Sequence, residues 1–266
     1  MMRVAVVGHV EWVEFIEVDR FPHEGDIAHA ERSFTRAAGG GGVVAVVLAG
    51  LGADVDFFCA LGRDANGEAA VRELTERGIH MEVAWRDEPT RRAVTLLGPA
   101  GERTIITIGD RLEPLGRDQL QWERLGDAGG VYFTAGDAAA LERARQSSVV
   151  VASPRARDAL EHGGPPIDAL VFSDRDTSEL AWAERVADRT RLLVGTDGDQ
   201  GGRWWGESEG SWSAAPPPGP PRDSYGCGDS FAAGFTYGLA GGASVDEAAE
   251  LGARCGARTL TISGAP

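Results

Sequence analysis

The stretch Asp223-Ser224-Tyr225-Gly226-Cys227-Gly228-Asp229-Ser230-Phe231-Ala232-Ala233-Gly234-Phe235 runs from a glycine-bearing turn into an apolar, alanine-rich segment that reads as a helix. Gly226 and Gly228 let the backbone take φ > 0 or approach a ligand closely. The first N–H groups of such a helix lack intrahelical partners, and the helix dipole makes the space before them attractive to negative charge. In that space sits an acid, Asp229. A carboxylate at a helix start is ordinarily a cap that accepts a backbone hydrogen bond. It is also placed to act as a general base. Spacing alone leaves both readings open.

The rest of the composition narrows the chemistry. The chain has 266 residues, room for an α/β domain with a real core. No apolar run is long enough for a membrane-spanning helix. Met1 to Gly8 lead straight into a strand-like run, without the basic, apolar and cleavage segments of a secretory signal. Cys59, Cys227 and Cys255 are odd in number and widely spaced, which fits neither a disulfide framework nor a zinc pattern. A reducing, cytoplasmic setting is expected. The formal net charge of −15 argues against nucleic acid or an anionic membrane as partner. Lysine is absent, so all 26 residues counted as Lys or Arg are arginine. A P-loop, a pyridoxal enzyme and a Schiff-base aldolase each need a lysine. Phosphate handling must therefore rest on backbone N–H groups, arginine and metal.

Taken in order, Arg3 to Gly8 reads as a buried first strand. Trp12–Val18 and Ile27–Thr35 read as more exposed strands around a turn at Phe21–Asp26. The run Gly39–Gly42 precedes an apolar segment; it reads either as a tight ligand-approaching loop before a buried helix or as a simple flexible loop. It is not the dinucleotide fingerprint, whose spacing and position after the first strand it lacks. Val83–Trp85, Ala93–Leu97 and Thr104–Ile108 read as short strands that could join the two early ones in a small separate sheet. From Val131 onward strand and helix patterns alternate, which implies βαβ units and a parallel sheet. Gly201–Trp205 and Ser211–Ser213 read as a hairpin, and Ala214–Pro221 as a proline-rich surface crossing. Helices over about Asp229–Leu239 and Val245–Thr259 finish the chain. The expected fold is one doubly wound α/β domain over residues 1–266, mostly parallel, with helices on both faces. A small sheet is expected from insertions at about 11–36 and 81–108.

Four stretches together carry a family resemblance: Ala38–Gly42 with the apolar run behind it, Gly101–Thr107, Thr196–Gly201, and above all Asp223–Phe231. The sequence resembles the PfkB-type carbohydrate kinases of the ribokinase-like superfamily. The Asp223–Phe231 match has Cys227 where the family carries alanine. The resemblance implies an ATP- and Mg2+-dependent kinase acting on a hydroxyl, typically a hydroxymethyl group, of a small sugar or nucleoside. Asp229 falls on the catalytic base, and Gly226, Cys227 and Gly228 on the anion hole. Thr196, Gly198 and Gly201 fall on the nucleotide loop. Gly39 and Gly40 fall beside the sugar. The small sheet falls on the lid, which in many relatives also forms a homodimer interface. Asp223 either holds the turn or helps bind a monovalent cation such as K+.

Departures from the pattern are informative. Val43 aligns with a sugar-binding asparagine, and Glu11 and Val13 with a sugar-binding Asn and Asp. Glu11 is a candidate replacement contact, and Trp12 a candidate for stacking on a ring. The Asn-x-x-Glu motif aligns with Ser173–Asp176, which puts Asp176 in the glutamate position. The lost sugar contacts and the altered Asn-x-x-Glu motif motivate a rival reading, a nucleotide- or sugar-binding sensor with little turnover. His9, His23 and His29 lack metal spacing and read as surface or lid residues. Of Arg91, Arg92 and Arg103, ordinarily exposed, one could reach the pocket and meet a phosphate or carboxylate.

Overall fold

The strand Arg3–Val7 is apolar toward both of its faces, a pattern that suits a sheet covered on both sides. The computed structural model describes residues 1–266 and places this strand inside a nine-stranded sheet, third from one edge. In chain order the first elements are β1 (Arg3–Val7), β2 (Glu11–Glu17), β3 (Arg32–Ala38), α1 (Gly39–Gly50), β4 (Asp54–Gly62), α2 (Ala65–Glu76) and β5 (His80–Arg86). Next come β6 (Arg92–Leu97), β7 (Arg103–Ile108), β8 (Gly130–Phe133), α3 (Ala138–Ala144), β9 (Val150–Ala152) and α4 (Arg157–Glu161). The last are β10 (Ile167–Ser173), α5 (Thr177–Arg185), β11 (Thr190–Thr196), β12 (Gly202–Gly206), β13 (Gly210–Trp212), α6 (Cys227–Ala240) and α7 (Val245–Thr259).

The large sheet runs β13-β12-β11-β10-β9-β8-β1-β4-β5 and is parallel from β11 to β5. The hairpin β12–β13 adds an antiparallel edge. Helices α1, α2, α6 and α7 pack on one face, and α3, α4 and α5 on the other. The chain moves from β1 to β4 and β5 on one side, then returns to β8 on the other. That reversal puts a topological switch point between the carboxyl ends of β1 and β8, where α/β sheets bind ligands.

A second, four-stranded sheet has the order β3-β2-β6-β7. A third apolar cluster, including Val13, Phe15, Val43 and Tyr225, fastens it to the body. Two expectations shift here. Val83–Trp85 lies in β5, which pairs with β4 at the edge of the large sheet, so the second insertion begins after Arg86. Its alternating burial resembles that of a small-sheet strand because an edge strand is also half covered. The early strand expected at Ile27–Thr35 forms instead at β3, and Ile27 is left 88% exposed in the preceding loop.

Candidate active site

Between the switch point and the small sheet lies a cavity of about 250 Å³. One wall is the start of α6. Gly226 is its N-cap, in the left-handed region at φ 71°. The first bond within the helix runs from the Ser230 N–H to the Gly226 carbonyl, at 2.8 Å. The N–H groups of Gly228 and Asp229 are thus left to the helix mouth. A Cβ on Gly226 would stand 3.1 Å from Val43 Cγ1, whereas one on Gly228 would meet nothing within 4 Å.

The structure settles whether Asp229 caps its helix. Asp64, Asp137 and Asp176 each accept backbone N–H bonds at the starts of α2, α3 and α5. Asp229 stands differently: it is the third residue of α6, whose N-cap is Gly226, and it accepts no backbone N–H. Its carboxylate instead faces the cavity, with Oδ1 3.3 Å from Arg155 Nη1. A Cβ on Gly40 would come within 3.1 Å of the same Oδ1.

The glycine run forms the opposite side of this wall. Its four glycines are the first turn of α1, and all are buried. Glycine weakens a helix, so a close approach must require it here. A Cβ on Gly41 would stand 2.7 Å from the His9 carbonyl and 2.8 Å from the Phe57 ring. Gly39 and Gly40 line the cavity.

His9 corrects the sequence reading. It is only 3% exposed and lines the cavity. Its Nε2 accepts the Gly40 N–H at 3.2 Å, so the proton belongs on Nδ1, which is buried without a protein partner. Burial, then Arg155, Arg111 and Arg91, hold its pKa well below the usual histidine range. The ring is neutral. Glu11 also lines the cavity, with Oε1 3.2 Å from Arg91 Nε. Burial raises the Glu11 pKa, and Arg91 opposes that shift.

Arg91 and Arg103 reach the cavity, and so do two arginines that the sequence did not single out, Arg111 and Arg155. Arg155 stands three residues beyond the end of β9, and His9 two beyond the end of β1. The available signal was position: side chains just past the carboxyl ends of parallel strands face the ligand crevice. Arg155 is 46% exposed, which leaves it open to a ligand, and Asp229 raises its pKa despite desolvation. Arg103 bonds Ser224 Oγ and so ties β7 to the turn before α6.

Other expected site residues fall elsewhere. Val43 is buried at 1% exposure beneath Gly226, and Val13 at 0% in the same apolar cluster; neither faces the cavity. Trp12 points to the other side of β2 and packs against the main core. Asp176 caps α5 through Ser178 and Glu179, while Asp174 pairs with Arg203 at 3.0 Å. Asp223 is buried and accepts the N–H groups of Tyr225 at 2.8 Å and Gly264 at 2.7 Å. Burial raises its pKa. Both oxygens accept backbone N–H groups, which fits the turn-holding reading. Cys227 does not line the cavity, and burial pushes its thiol pKa up to about 12, which leaves no nucleophilic thiolate at neutral pH. His23 and His29 are exposed.

The Thr196–Gly201 loop follows β11. Thr196 donates to the Phe172 carbonyl at 3.1 Å, while Gly198 and Gly201 take φ of 53° and 92°. Arg175 braces the loop through Asp197 and Asp199. A Cβ on Gly201 would collide with the Trp212 carbonyl at 2.1 Å. Trp212 in turn lines a second cavity of about 520 Å³, shared with Ala253 and Glu250 of α7.

The family model of the pfkB family carbohydrate kinases matches residues 1–265. The chain belongs to the PfkB family of carbohydrate kinases. It is an ATP-dependent sugar phosphotransferase. It is 30% identical to the ATP-dependent ribose-1-phosphate kinase of Halopiger xanaduensis, over 100% of this chain and 94% of that one. It is 29% identical to the acarbose 7(IV)-phosphotransferase of an Actinoplanes species, over 85% of this chain and 81% of that one. The structure of Arabidopsis thaliana ribokinase complexed with ribose and ATP superposes with a TM-score of 0.78 at 21% identity, covering 100% of this chain and 95% of that one. No helix is long and apolar enough to cross a membrane.

Proposed function

We propose that the cavity under the small sheet holds the phosphate acceptor and that Asp229 is its general base. The observation that carries this reading is that Asp229, in the first turn of α6, makes no hydrogen bond to backbone and turns its carboxylate to the cavity beside Arg155. The acceptor hydroxyl, on a hydroxymethyl or ring carbon, gives its proton to Asp229 as its oxygen attacks the γ-phosphorus of ATP. The bond to the β-phosphate oxygen breaks and ADP leaves. Gly226, Cys227 and Gly228 supply the backbone of the anion hole, whose N–H groups stabilise the charge on the transferring group. Gly39, Gly40 and Glu11 border the acceptor.

Thr196, Gly198 and Gly201 hold the nucleotide phosphates, and the second cavity, which adjoins Gly201 through Trp212, takes the base. Mg2+ would be held by the nucleotide phosphates, where it would offset their negative charge. The chain offers no cluster of three metal-ligating side chains, which suits an ion that keeps its waters and binds substrate phosphates. Asp176 serves by fixing α5 behind the Asp174–Arg175 turn. Asp223 holds the turn, and no step runs through a monovalent cation there.

The chain acts as one domain, with the small sheet as its lid. Ile106 and Ile108 of β7, 54% and 40% exposed, give that lid an apolar outer edge on which a homodimer can form. Gel filtration of wild type and Ile106→Glu reads this directly: a dimer that becomes a monomer supports the interface, and a wild-type monomer sinks it. A cytoplasmic setting fits ATP as donor. The rival sensor reading rests on Val13, Val43 and the altered Asn-x-x-Glu motif; the two valines lie in an apolar cluster, which leaves the motif at Ser173–Asp176 as its support.

The test is turnover. Purified protein with ATP and Mg2+ should release ADP with one member of a panel of sugars, nucleosides and sugar phosphates. Asp229→Asn should lose at least about 100-fold in kcat while still binding ATP. Wild-type turnover in that variant would remove Asp229 from the reaction.

A further inference from the structure

The names of the two curated relatives leave the acceptor's charge open, since one acts on a sugar phosphate and the other on acarbose. The cavity itself points one way. Its lining carries four arginines, Arg91, Arg103, Arg111 and Arg155, against two carboxylates, Glu11 and Asp229. In a chain of formal net charge −15, this is a local excess of positive charge. Guanidinium groups donate five N–H bonds and accept none. Sugar hydroxyls must both donate and accept, whereas a phosphate monoester only accepts. An arginine-rich lining therefore suits the second far better than the first.

The arginines divide into two groups. Antiparallel pairing of β6 with β7 sets Arg92 opposite Ile108, which brings Arg91 and Arg111 to the same end of the hairpin. Arg111 Nη2 donates to the Arg155 carbonyl at 3.3 Å, and Arg91 Nε lies 3.2 Å from Glu11. Arg91, Arg111 and Arg155 thus converge around His9 and Glu11. The depressed pKa of His9, which names all three as causes, is consistent with this. Arg103 lies at the opposite end of β7 and serves the turn before α6.

We propose that the acceptor is a monosaccharide already carrying a phosphate monoester, which Arg91 and Arg111 of the lid grip while Arg155 spans from it to Asp229. The product is then a sugar bisphosphate. A cavity of about 250 Å³ lies below the usual range of ligand clefts, roughly 300–1,000 Å³, and suits one sugar ring with its phosphate. This inference rests on the kinase reading above: the hydroxyl proton passes to Asp229, the acceptor oxygen bonds to the γ-phosphorus and ADP departs with the electron pair. The acceptor's own phosphate stays intact.

The experiment compares ribose, ribose 1-phosphate, ribose 5-phosphate, fructose 1-phosphate, fructose 6-phosphate, gluconate and adenosine, with ATP and Mg2+. ADP release, and thermal unfolding without ATP, are the two readouts. The best sugar phosphate should exceed its unphosphorylated parent by at least about 100-fold in kcat/KM, as expected when a site built for polar contacts meets an analogue without them. Arg111→Gln should raise KM for that sugar phosphate at least about tenfold, with KM for ATP and kcat within about threefold of wild type. Raised ionic strength should raise the same KM. If ribose or adenosine equals the best sugar phosphate, the proposal falls and the kinase reading stands. If gluconate exceeds every phosphate, the site is for a carboxylate and the proposal falls. If a sugar phosphate stabilises wild type but not Arg111→Gln, and nothing is phosphorylated, the anion site stands and the kinase reading falls. If no compound binds or turns over, both fall.

Discussion

Along the wall made by α1 and α6, the residues facing the cavity are three glycines, Gly39, Gly40 and Gly226, with the short carboxylate of Asp229. Along the wall made by the small sheet they are long side chains at strand ends, Arg91, Arg103 and Arg111. The first wall is seated on the core, where a single added Cβ would collide with neighbours at distances near 3 Å. The second stands on β7, whose six residues are all exposed. A transition state is the same for every acceptor, so it can be served by rigid dipoles fixed in the body. An acceptor differs from enzyme to enzyme, and adaptable side chains on a peripheral sheet can be exchanged without disturbing the core.

This contrast can be broken, and the largest effect should come from Asp229→Asn. It should cost about 10²–10⁴-fold in kcat, read by ADP release, while the protein stays folded, because the carboxylate bonds no backbone and loses only its contact with the partly exposed Arg155. Gly226→Ala comes next. It forces an L-residue to φ 71° and sets a Cβ 3.1 Å from Val43 Cγ1. A left-handed L-residue costs about 1–2 kcal/mol, and calorimetry should show the midpoint fall by about 2–6 °C. Adding Val43→Ala should return only part of that loss, since it removes the contact and not the φ. Full recovery would show that the contact was the whole problem.

Arg155 tests the boundary between the walls. Arg155→Gln should lower kcat by about tenfold, more than it raises KM, whereas the lid substitutions should act on KM. Equal effects on KM at both positions would erase the distinction between the two walls. A smaller effect concerns His9. Its folded pKa lies well below 6.5. The unfolded chain therefore binds a proton that the folded chain refuses as pH drops below about 6.5, and stability falls in that window while it is full above it. Thermal melts from about pH 7.5 to 5 should show His9→Asn with a shallower decline. Parallel curves would exclude His9 as a contributor. Cys227→Ala should be the mildest, with kcat within about twofold, because a thiol with a pKa of about 12 behaves as a small apolar group.

What the sequence by itself determined is local. Gly226 and Asp229 are close in the chain, and a turn into an apolar helix dictates an open N-terminus with an acid in front of it. The alternation after Val131 dictates a parallel sheet, and the missing lysine removed rival phosphate-binding devices. Other features depended on which way a side chain points and on which distant strands pair. Val13 and Val43 looked like lost sugar contacts because alignment gives a position and not a direction; both face the core. Val83–Trp85 went to the large sheet because strand pairing is decided between segments far apart in the chain. His9 and Arg155 lie 146 residues apart and meet only because β1 and β9 end on the same edge of the sheet. The capping question about Asp229 likewise needed tertiary structure, since only a neighbouring cavity and the guanidinium of Arg155 draw that carboxylate away from its own backbone.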